Sequence, residues 1–132
     1  MVYGYEIGAT STTTNIEELT IPLNPPRSRY YEASVFNDRA DGHISAHGFP
    51  YVVWVFDILT EAMVSQLRIF CPGQSAAVYL VSRVPPDATH TSERYVKFQG
   101  IMVWPTREQM EKRRQNGRYV GLEFTFRHLE EV

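Results

Sequence analysis

Cysteine is nearly missing from this chain. Cys71 is the only one, so no disulfide can form within it and its stability must come from a buried core. No stretch approaches the ~20 consecutive apolar residues of a membrane-spanning helix. The N-terminus has no basic segment followed by an apolar one, as a secretory leader would. Together these absences predict no membrane insertion and assembly in a cytoplasm. Excess positive charge is missing too: the formal net charge is -2. A sequence-specific nucleic-acid partner is therefore not expected, since phosphate-binding modules depend on a basic surface.

The short motifs of catalysis and cofactor binding are also lacking. There is no G-x-G-x-x-G or G-x-x-x-x-G-K-[ST] to cradle phosphates and no G-x-S-x-G nucleophile elbow. The paired carboxylates Glu17-Glu18 and Glu130-Glu131 read as solvated charge. His43-Ile44-Ser45-Ala46-His47 is the one pair with metal-like spacing. On a helix those two imidazoles would share a face. Gly42 and Gly48 flank the pair and no glutamate follows His43, so it reads as a loop. The expectation is no catalytic residue, no cofactor and no metal. No internal repeat or low-complexity tract divides the chain, so residues 1–132 are expected to form a single domain.

What is present is an ordinary globular balance with an aromatic bias: 132 residues, 43% hydrophobic, 21% charged, with eight Tyr, seven Phe and two Trp. Such rings favour strands. Val2–Ile7, Ile16–Leu23 and Tyr30–Phe36 read as short strands, with Asn24-Pro25-Pro26 interrupting them and Asn37–Gly48 as a loop. Tyr51–Phe56 is a continuous β-branched and aromatic run, predicted to be a central strand buried on both faces. Asp57 or Thr60 then caps a helix over about Glu61–Phe70, with Met63, Leu67 and Phe70 as its apolar stripe and Val64 beside it. Pro72-Gly73 ends it, and burial of Cys71 as a small hydrophobe is expected at that junction.

The C-terminal half gives the clearest pattern. Ala76–Val84 reads as a strand. From Tyr95 to Trp104 the drier set is Val96, Phe98, Gly100, Met102 and Trp104; from Tyr119 to Leu129 it is Val120, Leu122, Phe124 and Phe126. Period-2 alternation of this kind marks half-buried strands, predicted to pair antiparallel. Between them Thr106-Arg107-Glu108-Gln109 fits a capping box. The polar excursion that follows has Met110 as its single apolar residue between Arg107 and Arg114, and Asn116-Gly117 as its turn. The fold class is thus mainly β (α+β): an antiparallel β-sandwich or β-barrel-like domain with one packed helix, about residues 58–70.

An irregular N-terminal segment, the strand Tyr51–Phe56, the helix beginning Asp57-Ile58-Leu59-Thr60, then Phe70-Cys71-Pro72-Gly73, Met102-Val103-Trp104-Pro105 and a final Gly121–Phe126 strand follow one another. That order resembles the small ring-forming tail proteins of long-tailed bacteriophages, the group of tail-tube and distal-tail proteins. The resemblance implies a structural virion protein, a non-enzymatic subunit located in the tail. Its partners would be copies of itself in a six-membered ring and other tail proteins, with DNA only passing through the channel. It also implies that the excursion Arg107–Arg118 and an extended arm over residues 1–29 are the assembly elements. The candidate interface residues are Arg107, Glu108, Glu111, Lys112, Arg113, Arg114 and Arg118, with Tyr3, Tyr5 and Tyr30. The competing readings are a protein-binding adaptor module and a small hydrolase using the His43/His47 loop.

Overall fold

The computed structural model describes residues 4–32, 35–38, 44–47, 49–86, 88–89 and 91–132. The strands, in chain order, are β1 (Glu6–Gly8), β2 (Thr14–Asn15), β3 (Arg27–Tyr31), β4 (Val35–Asp38), β5 (Ile44–His47), β6 (Tyr51–Thr60), β7 (Ser75–Val84), β8 (Arg94–Val103), β9 (Arg114–Gln115) and β10 (Arg118–Glu131). Two α-helices interrupt them, α1 (Glu61–Arg68) and α2 (Arg107–Arg113). Half of the chain is strand, and every paired strand is antiparallel to its neighbours. The mainly-β α+β expectation holds. The details differ: the main sheet runs β2-β1-β7-β8-β10-β6-β3 without closing, β4 and β5 pair apart from it, and the described residues hold two α-helices. No helix among the described residues is long and apolar enough to cross a membrane.

The open sheet curls until its margins touch. The Tyr5 hydroxyl, just before β1, and the Ser28 hydroxyl of β3 lie 2.7 Å apart, and the Arg83 guanidinium of β7 donates to the Ser28 carbonyl at 3.4 Å. Inside the curl sit Trp54, Phe124 and Phe126, all fully buried. The Trp54 ring lies 4.7 Å from Phe126 and 5.6 Å from Tyr5. Offset and edge-on contacts of this kind add to the simple burial of aromatic area. Ser82 is fully buried as well, and its Oγ accepts the Trp54 indole N–H at 3.0 Å.

Of the extended arm expected over residues 1–29, the described part, residues 4–29, contributes to the core. Tyr5, Ile7, Ile16 and Leu23 are at most 4% exposed, and β1 pairs with β7 from Glu6↔Val81 to Gly8↔Tyr79. The predicted strand Ile16–Leu23 is instead a 3-10 turn, Ile16–Glu18, where the Asn15 side chain accepts from the Glu17 amide at 2.9 Å. Beyond it the Gln66 side chain of α1 accepts from the Ile21 amide at 2.9 Å and donates to the Ile21 carbonyl at 2.8 Å. One side-chain amide does for this backbone what a neighbouring strand would have done.

The run from Tyr51 is longer than predicted. A helix capped by Asp57 would have taken in Ile58–Thr60, but these residues pair with Arg118–Val120 and extend β6. A strand partner outweighs a weak local helical preference. β6 is also not central, because only β3 lies beyond it. Of the two expected caps, Thr60 is the one used, accepting from the Met63 amide at 3.3 Å. The predicted stripe shifts by one position: Val64 and Leu67 are buried, while Met63 and Phe70 only flank the core. Tyr30–Phe36 divides between β3 and β4, and part of the expected loop Asn37–Gly48 is paired backbone of β4 and β5.

The alternation in β8 is as predicted, with Val96, Phe98, Gly100 and Met102 all inward. In β10 it holds for Leu122, Phe124 and Phe126, and then the phase changes. The β8–β10 register shifts between Arg127 and Glu130, and His128 adopts φ 52. This bulge turns Leu129 into the core, 2% exposed. Gly100 makes room for it, since a Cβ there would meet the Leu129 side chain at 2.6 Å.

Candidate interaction surface

The polar excursion follows β8 directly. Thr106 Oγ accepts from the Gln109 amide at 3.2 Å, and the Gln109 side chain accepts from the Thr106 amide at 2.9 Å. The predicted capping box is therefore complete and satisfies two amides that α2 leaves unpaired. Arg107, Glu108, Glu111, Lys112 and Arg113 on this helix are all exposed, as are Arg114 and Arg118 beyond it. The helix nevertheless docks through its single apolar residue, because Met110 is partly buried against the main cluster. One well-placed thioether supplies the contact that the sequence pattern seemed to lack. Asn116 (φ 52) and Gly117 (φ 77) then form the tight turn joining β9 to β10, the left-handed pair that two-residue hairpin turns require. Arg114 on β9 reaches Glu61 at 3.3 Å, an exposed pair.

Beside this turn the alternation of β6 and β10 changes phase, at Asp57 and at Gly121 (φ 67). Val52 faces Phe126, Trp54 faces Phe124 and Phe56 faces Leu122, all of them buried. The next inward pair is Leu59 with Tyr119, in and against the core, while Ile58 and Val120 beside them are 52% and 41% exposed. The exposed pair shares a shallow depression with Gln115, Asn116 and Arg118. The sequence reading missed this pair, because Ile58 was assigned to the helix and Val120 to a drier face. A strict period of two places Val120 inward and gives no sign of the change of phase at Gly121.

A second cleft, of about 440 Å³, separates α2 from the end of α1 and includes Arg68, Trp104, Arg107 and Met110. The Arg68 guanidinium lies 4.5 Å over the Trp104 ring, a cation–π contact. Cys71 lies below this region, fully buried. Burial pushes its thiol pKa up, and the Arg68 charge only partly offsets that, so the sulfur behaves as a core hydrophobe.

The structure separates the tyrosine candidates. Tyr5 is a core residue, its ring edge-on to Trp54 and Tyr95, so it cannot face a partner. Tyr30 is half-buried and stacked on Phe98 with centroids 6.0 Å apart. Burial raises its hydroxyl pKa first, and the carboxylates of Glu32 and Glu131 raise it further. Tyr3 and His43 lie outside the described residues, while His47 contributes backbone to β5. Among the described residues the exposed aromatics are instead Tyr31, stacked on Tyr51 at 4.6 Å, Phe49, edge-on to His128 at 5.3 Å, and Tyr95, edge-on to Tyr5 at 5.3 Å.

Comparison with protein-family models, with curated proteins and with solved structures finds no match to this chain.

Proposed function

We propose that this protein is a structural, self-assembling subunit that works through contacts rather than catalysis, of the ring-forming kind that builds bacteriophage tails at the tube or distal tip. The observation that supports this reading most is the exposed Ile58/Val120 pair on β6 and β10, set beside Arg118 at the end of the basic excursion. An apolar pair left open beside a cluster of exposed cations has the composition of a contact patch with a charged rim. The same patch would also serve a module that binds one foreign protein, which makes the adaptor the second reading.

Light scattering and negative-stain electron microscopy over a range of concentrations distinguish the two. The expected result is closed multimers of uniform size, and a monomer for the Ile58→Asp/Val120→Asp double variant. A parent that stays monomeric at every concentration would remove self-assembly and leave the adaptor.

A further inference from the structure

The cleft between the end of α1 and α2 joins an apolar floor to two cations. Trp104 and Pro105, the buried residues that follow β8, form the floor, and the half-buried Met110 of α2 stands beside them. Arg68 ends α1 on one side and Arg107 begins α2 on the other. One nitrogen of Arg68 donates to the Gly73 carbonyl at 3.1 Å while its guanidinium covers the Trp104 ring. These contacts hold the group in place and leave most of its five N–H donors for a further acceptor. Arg107 is exposed, and no carboxylate among the described residues pairs with either arginine.

Nor does any carboxylate line the cleft. Glu61 stands at the other end of α1 and takes Arg114 at 3.3 Å. Glu108 and Glu111 are outnumbered on their own helix by Arg107, Lys112 and Arg113. Glu123 of β10 lies in a separate depression with Lys112 and Arg113. At about 440 Å³, the cleft falls within the roughly 300–1,000 Å³ of small-molecule sites.

We infer that this cleft is a binding site for a small aromatic carboxylate. The ring would lie over the floor, where the Met110 thioether favours the edge of an aromatic group. The carboxylate would take the two arginines, whose forked N–H groups match its two oxygens. The inference goes beyond the assembly reading and does not depend on it, because the cleft includes neither Ile58 nor Val120. A free arylalkanoic acid and a peptide that ends in Phe share this chemistry.

NMR of the methionine methyl groups tests it, with the Met110 signal assigned from the Met110→Leu variant. The probe is phenylpropanoate, which should move that signal to saturation. Phenylpropanamide lacks the charge and propanoate lacks the ring, and each should bind more weakly. Arg107→Gln changes an exposed side chain and should leave the fold intact. It should weaken phenylpropanoate by roughly tenfold or more, the effect of losing a charge-assisted hydrogen bond. Lys112→Gln, on the same helix but outside the cleft, should bind as the parent does. A blocked peptide ending in Phe then distinguishes the two sources: tighter binding than phenylpropanoate identifies a chain end as the ligand, and equal or weaker binding a free acid. A Met110 signal unmoved by millimolar phenylpropanoate, an amide that binds as well as the acid, or an Arg107→Gln variant that binds like the parent would overturn the site. So would an equal loss in Lys112→Gln, which would reduce the effect to diffuse attraction by a basic helix.

Discussion

Ser82 shows how much a single polar group can depend on its partner. It is the one buried polar residue in the described core, and it exists there to accept the Trp54 indole N–H. Ser82→Ala would leave that donor buried without an acceptor, a cost of about 1–3 kcal/mol. The expected result is a lower denaturant midpoint with an unchanged slope, read from tryptophan fluorescence. An unchanged midpoint would mean that the indole finds another acceptor. Nothing in the local sequence Leu80-Val81-Ser82-Arg83 names the group that this serine bonds. Its partner lies 28 positions away, and period-2 alternation places the position without naming its bond. Leu129 was hidden for a related reason. The bulge at His128 breaks the alternation, and no preceding glycine announces it.

Elements with a strong internal period were legible. β8, the body of β10 and the α2 capping box stand where alternation and capping chemistry put them. Elements whose identity depends on a distant partner were not. Ile58–Thr60 become strand because Arg118–Val120 lie alongside, and residues 19–23 stay irregular because Gln66 satisfies Ile21. Helix α1 supports a graded prediction. Leu67 is 1% exposed and Met63 only flanks the core, so Leu67→Ala should cost about 2–5 kcal/mol. Met63→Ala should cost clearly less, because it removes less buried area and its site can collapse. Thermal melts of the two variants check the order. A larger loss at Met63 would return the stripe to the position that spacing alone assigned.

The molecule as a whole depends on its first two dozen residues, which a sequence reading takes for an accessory arm. Pro25-Pro26 and the Ser/Thr-rich stretch before Asn15 look like a linker, yet the chain on either side of that stretch fills the core. Ile7, Ile16 and Leu23 are each at most 1% exposed. At roughly 1.5–3 kcal/mol apiece, their burial alone is comparable to the ~5–15 kcal/mol net stability of a typical domain. Tyr5 adds the seam to Ser28 and the edge contact with Trp54 that hold the curled margins together. Deleting residues 1–24 would also bare the β7 edge from Tyr79 to Val81, which β1 now covers, and an unpaired edge invites aggregation. The truncated protein should therefore lose its cooperative melt and its near-ultraviolet tryptophan signal, and it should aggregate at concentrations where the parent is soluble. An independent arm gives the opposite result: a truncated chain that melts with the parent and fails only in assembly. The choice between these outcomes decides whether any assembly contact made by this segment is made by a flexible strap or by the folded body itself.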